Sequence, residues 1–239
     1  MLAIAYGELV QLFRNRLVLL TSFIMPIAVS AFFVHRHEVF ADAGSLGYIA
    51  AIVVFTVGAF GLYTSAVTTL ASRRQNLFLK RLRSTAIGDS GILGGLLLPV
   101  TVLATVQVTG ILIVFGVVAG APADPVLLAV AVVATIAMLV GFALATAGVT
   151  NSPEHAQVTT LPIALGMIAV ASWIGLTGAE DLQLVKRLVP GGAATELVLN
   201  AWDGGVALSE SLILLAPTFA WVFVAANLAA KFFRWEPRR

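Results

Sequence analysis

Residues 43–85 read AGSLGYIAAIVVFTVGAFGLYTSAVTTLASRRQNLFLKRLRST, and the abrupt change inside this stretch decides the fold class. Thirty residues, Ala43 to Ser72, carry no charge; the next eleven, Arg73 to Arg83, carry five positive charges and no acid. A helix needs about 20 apolar residues to cross a bilayer core of about 30 Å. The stretch therefore reads as one crossing that ends on a basic inner segment.

Five more uncharged runs lie on either side: Leu17 to His35, Ser90 to Ala123, Pro125 to Pro153, Ala156 to Ala179, and Ser211 to Ala230. Each can hold one crossing and none can hold two with a turn. Membrane barrel strands would instead show alternating segments of about 10 residues. The expectation is an all-α membrane protein with six transmembrane helices, over 17–35, 45–71, 91–119, 126–150, 158–177 and 208–230. Pro26, Pro99 and Pro162 fall inside the runs, where neighbouring helices can satisfy the carbonyls that proline frees.

The composition agrees. The chain of 239 residues is 59% hydrophobic and 11% charged, with a mean hydropathy of +1.00. An ordinary soluble domain is about 25% charged and about 45–50% apolar, so a soluble enzyme is excluded. There is no cysteine, which removes disulfides, thiolate metal sites and cysteine nucleophiles together. The Ala- and Val-heavy usage fits a GC-rich bacterial genome.

Charge placement sets the expected orientation. With six crossings both termini share a side, and with the N-terminus inside, 11 of the 14 Lys and Arg face the cytoplasm. These are Arg14 and Arg16, then Arg73, Arg74, Lys80, Arg81 and Arg83, and last Lys231, Arg234, Arg238 and Arg239. Only Arg36, Lys186 and Arg187 fall outside, with eight of the 12 acidic residues. Positive-inside counting places both termini in the cytoplasm of a multi-pass inner-membrane protein. Ala28-Val29-Ser30 resembles a signal cleavage site, but a 16-residue lead containing Glu8 argues against removal.

Three segments outside the spans carry information. Residues 1–16 form an amphipathic interface helix, with Leu2, Leu9, Leu12 and Phe13 on one face and Glu8, Gln11 and Asn15 on another. Arg14 and Arg16 then sit at headgroup level; the helix reads as a positive-inside anchor for the first span, or as one whose exposed face also touches a cytoplasmic partner. In segment 73–87, read as a short stiff helix, Phe78, Leu79 and Leu82 gather on one side. Arg73, Arg74, Lys80 and Arg81 gather on another, Gly88 breaks the helix and Asp89 caps the next. Residues 180–205 read as an outer re-entrant helical hairpin turning at Pro190-Gly191-Gly192, with Trp202 at the interface and Trp173 and Trp221 as belt residues.

Reactive constellations are scarce. No Gly-Lys-Ser or Gly-Lys-Thr occurs, so no phosphate-cradling loop is expected, and with it no ATP hydrolysis by this chain. His35, His37, Glu38 and Asp42 have loose spacing for a metal site, and no catalytic residue or metal is assigned. The spans hold no ionisable group of the sort that ion-coupled carriers use. Gln107 and Asn227 are the buried polar candidates along a pathway.

These residues resemble a family, the ABC type 2 export permeases. The likeness rests on Phe13-Arg14-Asn15-Arg16 running into a span with Pro26, and on Leu79-Lys80-Arg81-Leu82-Arg83-Ser84-Thr85. It rests also on the outer segment Leu188-Val189-Pro190 through Glu196 to Trp202-Asp203-Gly204, although Gly191-Gly192 stands where bulkier residues are common. The resemblance implies that a separate ATPase subunit, carrying ATP and Mg, docks on the inner face. It implies that Phe78, Leu79, Lys80, Arg81, Leu82 and Arg83 form the coupling helix, with the helix bearing Glu8, Arg14 and Arg16 beside it. It also implies a second permease chain, membrane lipid as surroundings, no nucleic acid, and an amphiphilic cargo such as a drug, lipid or peptide. Two other readings remain open at this point: a stand-alone channel or secondary carrier, and a membrane scaffold that recruits a soluble partner.

Overall fold

The computed structural model describes residues 1–178 and 180–236, with the Leu17 side chain outside that set. Ala179, at the end of the fifth uncharged run, and Arg238 and Arg239, expected on the inner face, lie outside the described residues. Among the described residues every regular element is helical. Five helices are long and apolar enough to cross a membrane, namely Leu46–Gln75, Asp89–Ala119, Pro125–Val149, Pro153–Thr177 and Leu208–Phe232. They point to a membrane-embedded protein. The first apolar helix, Leu20–His35, is shorter than these.

The chain opens with α1 (Leu2–Arg14), α2 (Arg16–Leu19), a π-helical turn (Leu20–Ile24), α3 (Met25–His35) and α4 (His37–Ala43). A continuous rod follows: α5 (Leu46–Thr56), a second π-helical turn (Val57–Thr64) and α6 (Ser65–Gln75). Then come α7 (Phe78–Arg83), α8 (Asp89–Ala119), α9 (Pro125–Val149) and α10 (Pro153–Thr177). The segment expected on the outer side forms α11 (Gln183–Leu188) and α12 (Gly192–Asp203), before α13 (Leu208–Ile213) and α14 (Leu215–Phe232).

The starts of the long helices follow capping chemistry. Ser45 Oγ accepts from Tyr48 N, Asp124 Oδ1 from Val126 N and Leu127 N, and Ser152 Oγ from His155 N. Pro125 and Pro153 occupy first-turn positions whose N–H would have no partner. Inside the rod the hydroxyls of Thr64 and Ser65 donate to the carbonyls of Ala59 and Phe60 at 2.9 and 3.1 Å. These acceptors lie five residues back, in the widened turn whose backbone ladder is displaced there.

The α5–α6 rod is the centre of the bundle: 89% of its most apolar window is buried, against 67% for α9 and 22–33% for the other three long helices. Those three, α8, α10 and the α13–α14 helix, turn Val106, Ile113, Val158, Leu165 and Phe223 outward. In water so large an apolar exterior would aggregate; against lipid tails it is the ordinary outside.

A rod of 30 residues is about 45 Å long, so its two ends are well separated. At the Ser45 end, Asp203 accepts from Ser45 Oγ at 2.6 Å and Gly47 N at 2.8 Å. There also Ala123 N and Asp124 N donate to Trp202 O and Ala201 O. At the Gln75 end, Arg73 meets Glu8 of α1, and Arg74 reaches carbonyls where α9 ends. The segments expected on the cytoplasmic side therefore share one end, and those expected outside share the other.

One expectation about a side chain changes. Trp202 does not sit at an interface: it is 3% exposed and stacks on Phe115 with ring centres 4.7 Å apart. Most of α12 is buried against α5, α9 and α10. The turn leading into it depends on glycine. A methyl on Gly192 would lie 1.7 Å from Lys186 O, and Gly191 has φ +87°.

Candidate functional site

The basic stretch after the rod is two helices rather than one. α6 continues through Gln75, and Leu77 at φ 57° turns the chain before α7 begins at Phe78. That break separates the two arginine groups that a single helix would have aligned, and each group does different work.

Arg73 and Arg74 are structural. Arg73 donates from Nε and Nη2 to the two oxygens of Glu8 at 2.7 and 2.9 Å, reaches Gln11 Oε1 as well, and lies 5.5 Å from the Phe78 ring centre. The Arg73 and Glu8 side chains are 15% and 7% exposed. Arg74 is 1% exposed; its guanidinium donates to Ala147 O at 2.9 Å and to Thr150 O. It thereby supplies donors and positive charge to the last carbonyls of α9, where the helix dipole is negative.

One polar residue of α1 departs from its expected face, while Gln11 and Asn15 stay exposed and Leu12 packs against the core. Glu8 points into the bundle, while Leu2, Tyr6 and Phe13 are exposed. A protein solvated by lipid can leave its apolar side chains outside and bury an ion pair that has a partner. Arg14 and Arg16 remain exposed around the break at Asn15.

Six candidates in α7 divide cleanly. Leu79 is fully buried, and Phe78 and Leu82 pack against the core. Lys80, Arg81 and Arg83 project outward. α7 is therefore a short charged helix bolted to the bundle by three apolar side chains and presenting three cations. Asp89 does not cap α8 through its side chain, as expected from the sequence; it pairs with Arg83, at 3.2 Å to both Nε and Nη2.

The C-terminal segment folds over this helix, which sequence reasoning missed. Lys80 Nζ is 2.9 Å from Glu236 Oε1, and the Arg83 guanidinium lies 5.0 Å from the Trp235 ring centre. Together with Arg234 these side chains line an open basic depression. A Trp beside an acid, after a span and near two cationic clusters, was the available signal.

At the opposite end, Lys186 and Arg187 are also committed internally. Lys186 is buried, donates to Thr177 Oγ1 and Gly178 O at 2.8 and 2.7 Å, and lies 5.3 Å from the Trp173 ring centre. Arg187 makes a two-bond pair with Glu196, which raises its pKa above the ordinary arginine value. Trp221 Nε1 donates to Leu188 O at 2.9 Å, tying α14 to α11.

The two pathway candidates are not brought together. Gln107 is buried in α8 and donates from Nε2 to Phe23 O at 3.2 Å. Asn227 is exposed on α14 and its amide donates to Phe223 O of its own helix. His37 Nδ1 donates to Val34 O at 2.9 Å, and among the described residues no three His, Asp or Glu converge as metal ligands.

Comparison of the chain with family models, with curated proteins and with solved structures yields no match.

Proposed function

We propose that this chain is the membrane subunit of an ATP-driven ABC type 2 exporter, coupled to a separate ATPase and carrying an amphiphilic substrate. The observation that supports it best is α7. A six-residue helix anchored by Leu79 presents Lys80, Arg81 and Arg83 at the end of the bundle's central rod. A force applied there reaches α6 through the Leu77 turn and α1 through Glu8 and Arg73. In this reading Arg16–His35, counted with its π turn, is a sixth crossing, both termini are cytoplasmic, and a second permease chain completes the pathway.

The scaffold reading uses the same surface but requires no effect on hydrolysis. Purification of the chain with the ATP-binding protein of its genomic neighbourhood separates the two. An exporter subunit should alter the ATPase rate in proteoliposomes, and Lys80→Glu with Arg83→Glu should abolish co-purification. Co-purification without any change in ATPase rate would favour the scaffold.

A further inference from the structure

Pro26 has no N–H to donate to the carbonyl of Ser22, four residues earlier, and Ser22 lies in the first π-helical turn. The second π turn brings Gly61 against it. A methyl on Gly61 would lie 3.2 Å from Ser22 O and 3.6 Å from Gln107 Oε1. The Gln107 amide can be oriented without ambiguity, because Phe23 O accepts and must therefore face Nε2. Oε1 consequently faces Gly61, and it is a buried oxygen without a hydrogen-bond partner on a residue only 6% exposed.

A void of about 20 Å³ lies here, walled by Leu12, Phe13, Val18, Leu19, Phe23 and Leu103. One water needs about 10–15 Å³ of such space and at least two polar neighbours. The nearest hydroxyls offer no free proton. Ser65 Oγ donates to Phe60 O, so the 2.5 Å contact with Ser22 Oγ uses the Ser22 proton.

We propose that the void over Gly61 is a binding site for a single hydrogen-bond-donating group, an O–H or N–H held between Gln107 Oε1 and Ser22 O. Acceptors without free donors reject carboxylates and phosphates, so the ligand class is neutral or cationic. Water is one source of such a group. The head of a hydroxyl- or amine-bearing amphiphile is the other, because Phe13, one wall of the void, is 51% exposed and opens it to the bundle's surface. That an amphiphile bound there is cargo rests on the export reading; the site itself does not.

The test uses the full chain in lipid nanodiscs without ATP or ATPase, so its failure leaves the coupling proposal untouched. Unfolding midpoints are measured with 1-decanol, decylamine and decanoate for the wild type, Gln107→Leu and Gly61→Ala. An upward shift with decanol and decylamine, absent with decanoate and at least tenfold weaker in concentration dependence for Gln107→Leu, identifies the amphiphile source. Equal midpoints, together with a water resolved within hydrogen-bond distance of both oxygens and lost in Gly61→Ala, identify water. If Gly61→Ala does not fold, loss of that water in Gln107→Leu serves the same purpose. An empty site with equal midpoints, or decanoate binding as well as decanol, overturns the proposal.

Discussion

Glu8 and Arg73, 65 positions apart, share two hydrogen bonds at 2.7 and 2.9 Å and join the N-terminal helix to the end of the central rod. Both side chains are largely removed from solvent. Breaking a buried pair by removing one partner is expensive because the other charge is left unpaired.

Glu8→Ala should therefore lower stability by about 3 kcal/mol, and Arg73→Met by a similar amount. The double variant should lose much less than the sum of the two. Unfolding midpoints in detergent at fixed lipid content check this. Additive losses would show that the pair is not a unit.

Gly192→Ala places a methyl 1.7 Å from a backbone oxygen that no rotamer change can move. The turn at Pro190 must open, and α12 lies in the packed interior. The expected loss is more than about 4 kcal/mol, in the range reserved for backbone clashes and cavities. Failure of Gly192→Ala to accumulate as folded protein, against normal yield for Gly205→Ala where the added methyl meets nothing, is the measurement. Gly205 has φ +82°, so a modest loss there is expected from backbone strain alone.

The tail over α7 should compete with any partner that docks on the cations. Its contacts are exposed, and a surface ion pair contributes about 0–1 kcal/mol. Trp235→Ala combined with Glu236→Gln should hasten trypsin cleavage after Lys80 and Arg81 in the isolated chain. It should also tighten binding of the proposed ATPase partner about fivefold, the equivalent of about 1 kcal/mol. Unchanged cleavage and unchanged affinity would mean that the tail does not shield the helix.

The long apolar helices and the grouping of loops at two ends were legible because both depend on uncharged length and on where charges fall. The burial of Glu8 was not. Periodicity marks two faces, but it does not show that one acid on the polar face meets an arginine 65 positions away and turns inward with it. Arg73 and Arg74 look the same in sequence as Lys80 and Arg83. Only the left-handed Leu77 and the distant ends of α1 and α9 give the first pair internal partners. The void over Gly61 was out of reach for a related reason. Pro26, Gly61 and Gln107 come from three segments, and nothing local in the sequence aligns them.

The most direct measurement concerns Lys80, Arg81 and Arg83, since the account assigns force transmission to the helix that carries them. The chain reconstituted with the ATPase proposed as its partner is compared with Lys80→Glu, Arg81→Glu and Arg83→Glu combined, recording ATP hydrolysis and substrate export on the same vesicles. Because the ion pairs of Lys80 with Glu236 and Arg83 with Asp89 are exposed, each contributing about 0–1 kcal/mol, the variant should fold with an unfolding midpoint only slightly lowered. The account expects export to fall by at least tenfold while ATPase activity no longer responds to the permease. Export and ATPase stimulation equal to wild type in the folded triple variant would contradict it.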